Sequence, residues 1–225
     1  MSREIAAGVH LLEIAWPEPI GSNAYLVDDG EVTLVDTGLP IPRRSIASEL
    51  TDSGYELSDV DRILLTHYDV DHVGGLARLD LDVPVYLGIQ DVALVRRESS
   101  PSWLDHKGAF HRLVRRWYSL SGVDLRPVLD GEQIGNFRAI HTPGHNPGHL
   151  VYLHEEFSAC LLGDLVWEAD GRFVPPPWID SYDVALAKES IHRLAEESFD
   201  HGCMAHGEPV SPDGDAPLQE LASAL

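Results

Sequence analysis

The segment LLTHYDVDHVGGL, Leu64 to Leu76, places His67, Asp69, Asp71 and His72 within six residues, between an apolar run and two glycines. Imidazole nitrogens and carboxylate oxygens are the donors that zinc, iron and manganese accept. In extended chain His67 and Asp69 point to one side. As the chain curls into a helix near Val73, Asp71 and His72 turn towards a neighbouring position, which suits two adjacent cations. The glycines Gly74 and Gly75 permit close backbone approach behind the ligands. H-x-x-x-D-H is a weak pattern by itself, and its context strengthens it. The segment HTPGHNPGH, His141 to His149, offers three histidines four residues apart on a loop stiffened by Pro143, Gly144, Pro147 and Gly148. In CLLGDLVW, Asp164 follows an apolar run and a glycine, and in CMAHGEP His206 ends another apolar run. Four strand ends thus each deliver a nitrogen or oxygen ligand.

The elements that must carry these side chains alternate between strands and helices. NAYLVDDGEVTLVD is two apolar runs around a D-D-G-E turn, a hairpin over 23–36. Helical spacing covers Pro42 to Ser53 and stops at Gly54. Strands follow over Arg62–Thr66 and Val83–Leu87. From Gln90 to Leu120 the chain turns helical and basic, with Arg96, Arg97, Arg112, Arg115 and Arg116 beside Trp103, Phe110, Trp117 and Tyr118. Strands return over Arg126–Leu129, Asn136–His141, His149–Leu153 and Ala159–Leu162. The proline-rich VPPPW leads into a helix over Tyr182–Glu197, a strand over His201–Ala205 and a final helix. This alternation predicts an α/β domain over residues 1–225, two similar halves with sheets covered by helices. The helical stretch at about 90–121 is either an ordinary amphipathic pair or a lid over the cleft.

Thirty-seven acidic residues against sixteen basic ones give a formal charge of −21. Only Lys107 and Lys188 are lysines; the other basic residues are arginines. A carboxylate surface of this kind suits concentrated salt, where self-repulsion is screened, and it disfavours nucleic acid as a partner. The stretch MSREIAAGVHLLEIAW contains no long hydrophobic core, so neither a signal peptide nor a membrane span is expected. Cys160 and Cys203 form no C-x-x-C and are expected as buried thiols in a reducing cytoplasm. The expected partner is a small-molecule substrate, and nothing in the chain specifies an oligomeric state.

Taken together, GSNAYLV, TLVDTG, LLTHYDVDHVGGL, HTPGHNPGH, LLGD and AHG resemble, in order and interval, the motifs of the metallo-β-lactamase-fold hydrolases. The branch resembled is that of glyoxalase II and related thioesterases and lactonases. The composition is similar to that of proteins from salt-loving archaea. The resemblance implies a four-layer αββα sandwich, two mixed β-sheets flanked by helices, with a dinuclear metal site at one edge. It implies a first ion on His67, Asp69 and His145, and a second on Asp71, His72 and His206, with Asp164 bridging. His141 and His149 then orient ligands or substrate, Asp36 of the VDTG turn supports the site, and Tyr68 either faces the cleft or packs. The commonest family motif is H-x-H-x-D-H, whereas this chain has H-x-D-x-D-H. Asp69 still allows zinc, and its hardness opens the site to iron or manganese. Diiron flavoproteins resemble this arrangement with glutamate there, and some nucleases and choline-phosphate esterases with aspartate.

Two divalent ions about 3.5–4 Å apart would lower the pKa of a shared water to near neutrality. Asp71 is placed to orient that nucleophile and shuttle its proton. The expected function is hydrolysis of a small ester, thioester or lactone. The alternatives are a phosphodiesterase or nuclease, an iron-dependent redox protein of the same fold, and a metal-binding regulator without turnover. No G-x-S-x-G, P-loop or dinucleotide fingerprint competes for the site. His10, His106, His111, His154, His192 and His201 are expected at the surface or its boundary.

Overall fold

The computed structural model describes residues 2–15, 21–100, 106–114, 120 and 122–225. The first sheet is laid down in chain order. Strands β1 (Arg3–Ala6), β2 (Val9–Leu12), β3 (Ala24–Asp28) and β4 (Val32–Val35) are antiparallel neighbours. Strands β5 (Val60–Leu64), β6 (Val85–Gly88) and β7 (Leu125–Val128) then add in parallel. Parallel neighbours need crossovers. These contain α1 (Ile46–Asp52), α2 (Val70–Val73), α3 (Ile89–Val95) and α4 (His106–Val114).

The second sheet has the order β14-β11-β10-β9-β8. It is built from β8 (Gln133–Ile134), β9 (Phe137–His141), β10 (Leu150–His154), β11 (Ala159–Gly163) and β14 (His201–Met204). Between its last two strands in sequence lie a ribbon, β12 (Trp167–Ala169) and β13 (Arg172–Val174), and helix α5 (Val184–Leu194). Helix α6 (Ala216–Ala224) closes the chain.

Side-chain alternation explains the layering. In β3, Ala24 and Leu26 join one buried cluster, with Ile46 and Leu50 of α1, while Tyr25 and Val27 join another. That second cluster lies between the sheets and includes Leu150, Tyr152 and Leu161 from β10 and β11. The opposite faces of those strands, Val151, Cys160 and Leu162, pack on Ile191 and Leu194 of α5 and Leu218 of α6. Strands apolar on both faces are what a helix–sheet–sheet–helix stack requires. The expected αββα sandwich with mixed sheets is the observed fold.

Element edges moved for local reasons. Helix α1 begins at Ile46, not Pro42, because the Ser45 side chain accepts from Ser48 N at 3.2 Å and caps it. Asp183 does the same for α5, accepting from Ala185 N and Leu186 N at 3.0 Å. The β12–β13 ribbon was missed from the sequence, although Asp170 and Gly171 turn it with φ of 53° and 78°. An Asp-Gly pair is a strong hairpin signal. His154 is fully buried rather than superficial, stacked on Phe157 and 3.0 Å from Asp29 Oδ2. In the predicted 90–121 segment, Trp103, Arg115, Arg116, Trp117 and Tyr118 lie outside the described residues. Among the described residues no helix is long and apolar enough to cross a membrane.

Candidate metal centre

His67 and Asp69 follow the C-terminal end of β5, with Asp71 and His72 on α2. His145 sits on the loop between β9 and β10, Asp164 directly follows β11, and His206 lies two residues beyond β14. A rigid frame holds these ends together. Leu150 N donates to Thr66 O at 2.8 Å, tying the two sheets beside the ligands. A Cβ on Gly75 would sit 2.1 Å from Thr37 O, so only glycine lets α2 pack on the β4 turn. Gly163 has a φ of +52°, and a Cβ there would come within 2.7 Å of His149 Nε2. The glycines beside the ligands are thus steric necessities.

All seven expected ligands converge. His145 Nε2 lies 3.1 Å from His67 Nε2 and 3.2 Å from Asp69 Oδ2, and His67 Nε2 is 3.4 Å from that oxygen. Asp71 Oδ2 lies 3.8 Å from His72 Nε2 and 3.6 Å from His206 Nε2. Asp164 stands between the sets, 3.3 Å from His72 Nε2, 3.4 Å from His206 Nε2 and 3.6 Å from His145 Nε2. A tetrahedron of donors at about 2.0–2.2 Å from an ion has edges of about 3.3–3.6 Å, so these spacings fit a first-row cation. His72 Nε2 and Asp164 Oδ1 are buried without a hydrogen-bond partner among the described residues, as atoms waiting for a cation would be.

Supporting residues set the tautomers. Asp36 accepts from Thr66 N at 2.8 Å and from Thr66 Oγ1 at 2.7 Å, and its Oδ2 lies 2.8 Å from His72 Nδ1. The carboxylate therefore holds a proton on Nδ1 and leaves Nε2 facing Asp164, where a cation would take the place of the second proton. Burial opposes charge on His72, but Asp36, Asp164 and Asp71 outweigh it and hold its pKa above the ordinary value. Burial, with the neighbouring His72, pushes His67 well below its usual range. His149 is not positioned as a ligand: Nδ1 meets Thr142 Oγ1 at 2.8 Å and Nε2 accepts from Asp164 N at 3.0 Å. It positions Asp164 through the backbone. His141 braces its own loop, with Nε2 2.8 Å from Pro147 O. The Tyr68 ring packs in the outer cluster, centred 5.2 Å from His111.

Several residues at the centre escaped sequence reasoning, Asp91, Lys107 and His111 among them. Asp91, fully buried on α3, accepts from Tyr68 N and Gly148 N at 2.8 Å each, joining the β5 loop to the histidine-rich loop. Burial raises its pKa to about 6. Lys107 and His111 lie one helical turn apart on α4 and are both buried. Lys107 Nζ stands 2.7 Å from His145 Nε2, 2.8 Å from Asp69 Oδ2 and 2.9 Å from Asp180 O. His111, expected at the surface, instead meets the Tyr182 hydroxyl at 3.0 Å through Nδ1. The available signal was the i, i+4 spacing of two polar residues in a helix beside the motif.

Residues 17–201 match the family model of the Metallo-beta-lactamase superfamily. The chain belongs to that superfamily. It is 25% identical to the "Probable metallo-hydrolase YflN" of Bacillus subtilis, covering 99% of this chain and 92% of that one. An atrochrysone carboxyl ACP thioesterase of Aspergillus fumigatus is 32% identical over 65% of this chain, which spans only 30% of that protein's length. Among solved structures, a metallo-beta-lactamase family protein of Thermus thermophilus superposes with a TM-score of 0.76 at 28% identity, covering 98% of this chain and 80% of that one. A second solved structure, of TTHA1623 in a di-iron-bound form, has a TM-score of 0.69 at 25% identity over 94% and 99% of the two chains. As a metallo-beta-lactamase superfamily member, the protein has the fold of metal-dependent hydrolases, and its His and Asp cluster fits divalent cations.

Proposed function

We propose that this protein is a metal-dependent hydrolase of a small ester, thioester or lactone, in the manner of the glyoxalase II-like branch. The observation that carries the reading is the meeting of seven side chains from four strand ends in overlapping donor groups, two of which, His67–Asp69–His145 and Asp71–His72–His206, are joined through Asp164. His67, Asp69 and His145 would hold one ion, Asp71, His72 and His206 the other, and Asp164 would serve both. Ions so held acidify water and polarise a carbonyl oxygen. Around them the chain's own groups divide the labour. Asp71, partly exposed, orients the attacking water, takes its proton and returns it to the leaving group. Asp36 and His149 hold His72 and Asp164 in place. The thioesterase relative supports an acyl substrate.

The hard carboxylate of Asp69 and the di-iron neighbour support iron or manganese as well as zinc. We further read the chain as one domain, with α4 at the rim of the centre. Its free, buried cysteines support a reducing cytoplasm, and its −21 charge supports a salt-rich one. The test is metal analysis of the purified protein. Turnover of a thioester, a lactone and a nitrophenyl phosphodiester in concentrated KCl follows, before and after chelation. Chelator-sensitive acyl hydrolysis is the expected result; a protein that retains no metal, or cleaves only the phosphodiester, overturns the reading.

A further inference from the structure

The two ligand sets differ in what already faces their donor atoms. In the Asp71–His72–His206 set, His72 Nε2 and the neighbouring Asp164 Oδ1 lie 3.3 Å apart, and among the described residues neither makes a hydrogen bond. In the His67–Asp69–His145 set, the Lys107 ammonium lies within 2.8 Å of two of the three donors. We propose that Lys107 competes with a divalent ion for this first set. The centre then loads in order: the Asp71–His72–His206 set tightly, the His67–Asp69–His145 set only as the ammonium is displaced.

Three features support this. A histidine nitrogen has one lone pair, so His145 Nε2 cannot accept from Lys107 and bind an ion at the same time. The ammonium is saturated, its three N–H groups meeting His145 Nε2, Asp69 Oδ2 and Asp180 O, and it is almost fully buried. Displacement must therefore break a complete set of contacts as well as overcome like-charge repulsion. Finally, the chain uses lysine at only two positions and arginine elsewhere. A compact ammonium fits between two donors where a planar guanidinium does not. Asp180 Oδ1, 3.4 Å away, offers the displaced ammonium a second partner.

The inference rests on the metal-dependent reading, and the same titration separates their failures. Chelator-stripped full-length protein is titrated with Co²⁺, following both heat and the visible absorption of the bound ion. The wild type is expected to show two steps whose Kd values differ at least tenfold. Lys107→Met, similar in length and uncharged, should tighten the weaker step at least tenfold and leave the tighter one in place. Two equal steps in the wild type, or a gap unchanged in Lys107→Met, overturns the competition while leaving the hydrolase reading intact. No cobalt bound at all overturns both. If Lys107→Met loses its far-ultraviolet circular dichroism, Lys107→Gln takes its place, and the wild-type step separation remains decisive.

Discussion

Asp36 combines a backbone φ of 59° with contacts to Thr66 and His72, so its replacement separates conformation from chemistry. Asparagine tolerates the same left-handed backbone. Asp36→Asn should therefore keep the fold, yet weaken metal affinity about 10–100-fold by removing the anion behind His72. Chelator competition measures this, and unchanged affinity would exclude the orienting role. Asp71→Asn should weaken the ion held with His72 and His206 and, assayed at saturating metal, still lower kcat by about 10²–10⁴-fold, the range of general acid–base catalysis. At Asp91 the folded pKa of about 6 lies above the carboxylate's ordinary value of 3.8. The folded state then holds the proton that the unfolded chain releases, and stability falls as pH rises from about 4 to about 6. Asp91→Asn in metal-free protein should flatten that slope. It should also cost about 1–3 kcal/mol at neutral pH, because its amide faces one of two backbone N–H groups. Urea melts at pH 4.5 and 7 supply both numbers. The expected ligands were legible because they are titratable residues just beyond apolar runs. Asp91, Lys107 and His111 were not, since their positions depend on where helices dock.

At the level of elements, the packing of α2 on the β4 turn permits no side chain at Gly75. Gly75→Ala should lower the melting temperature, with a cost of about 1–3 kcal/mol or more for overpacking. A melt within a degree of wild type would contradict the close approach. The same contrast explains which elements could be foreseen. The hairpin of β3 and β4 announces itself through two apolar runs around Asp29 and Gly30. Helix α1 was foreseen with its start four residues too early, because capping by Ser45 is a finer signal than periodicity. The β12–β13 ribbon is three residues per strand, too short for an alternation pattern to stand out, and only its Asp-Gly turn betrays it.

For the whole molecule, the net charge of −21 predicts that salt stabilises the folded state. Screening shortens from about 10 Å at 0.1 M to about 3 Å at 1 M, which relieves repulsion among surface carboxylates. Urea midpoints should climb between 0.1 M and 2 M KCl, and flat midpoints would remove the high-salt reading. Sheets covered by helices followed from the alternation of strands and helices and the four-layer stack from the family resemblance, whereas the seat of α4 against the expected ligands required the folded chain. That seat also has a practical use. With ε-amines only at Lys107 and Lys188, an acylating reagent and a mass spectrometer give a two-channel record. Lys188, half-buried on α5 and away from the expected ligands, serves as the reference. Lys107 should resist modification until titrated cation releases it, so that acylation mapped to its own peptide, set against that on Lys188, counts occupancy without any substrate.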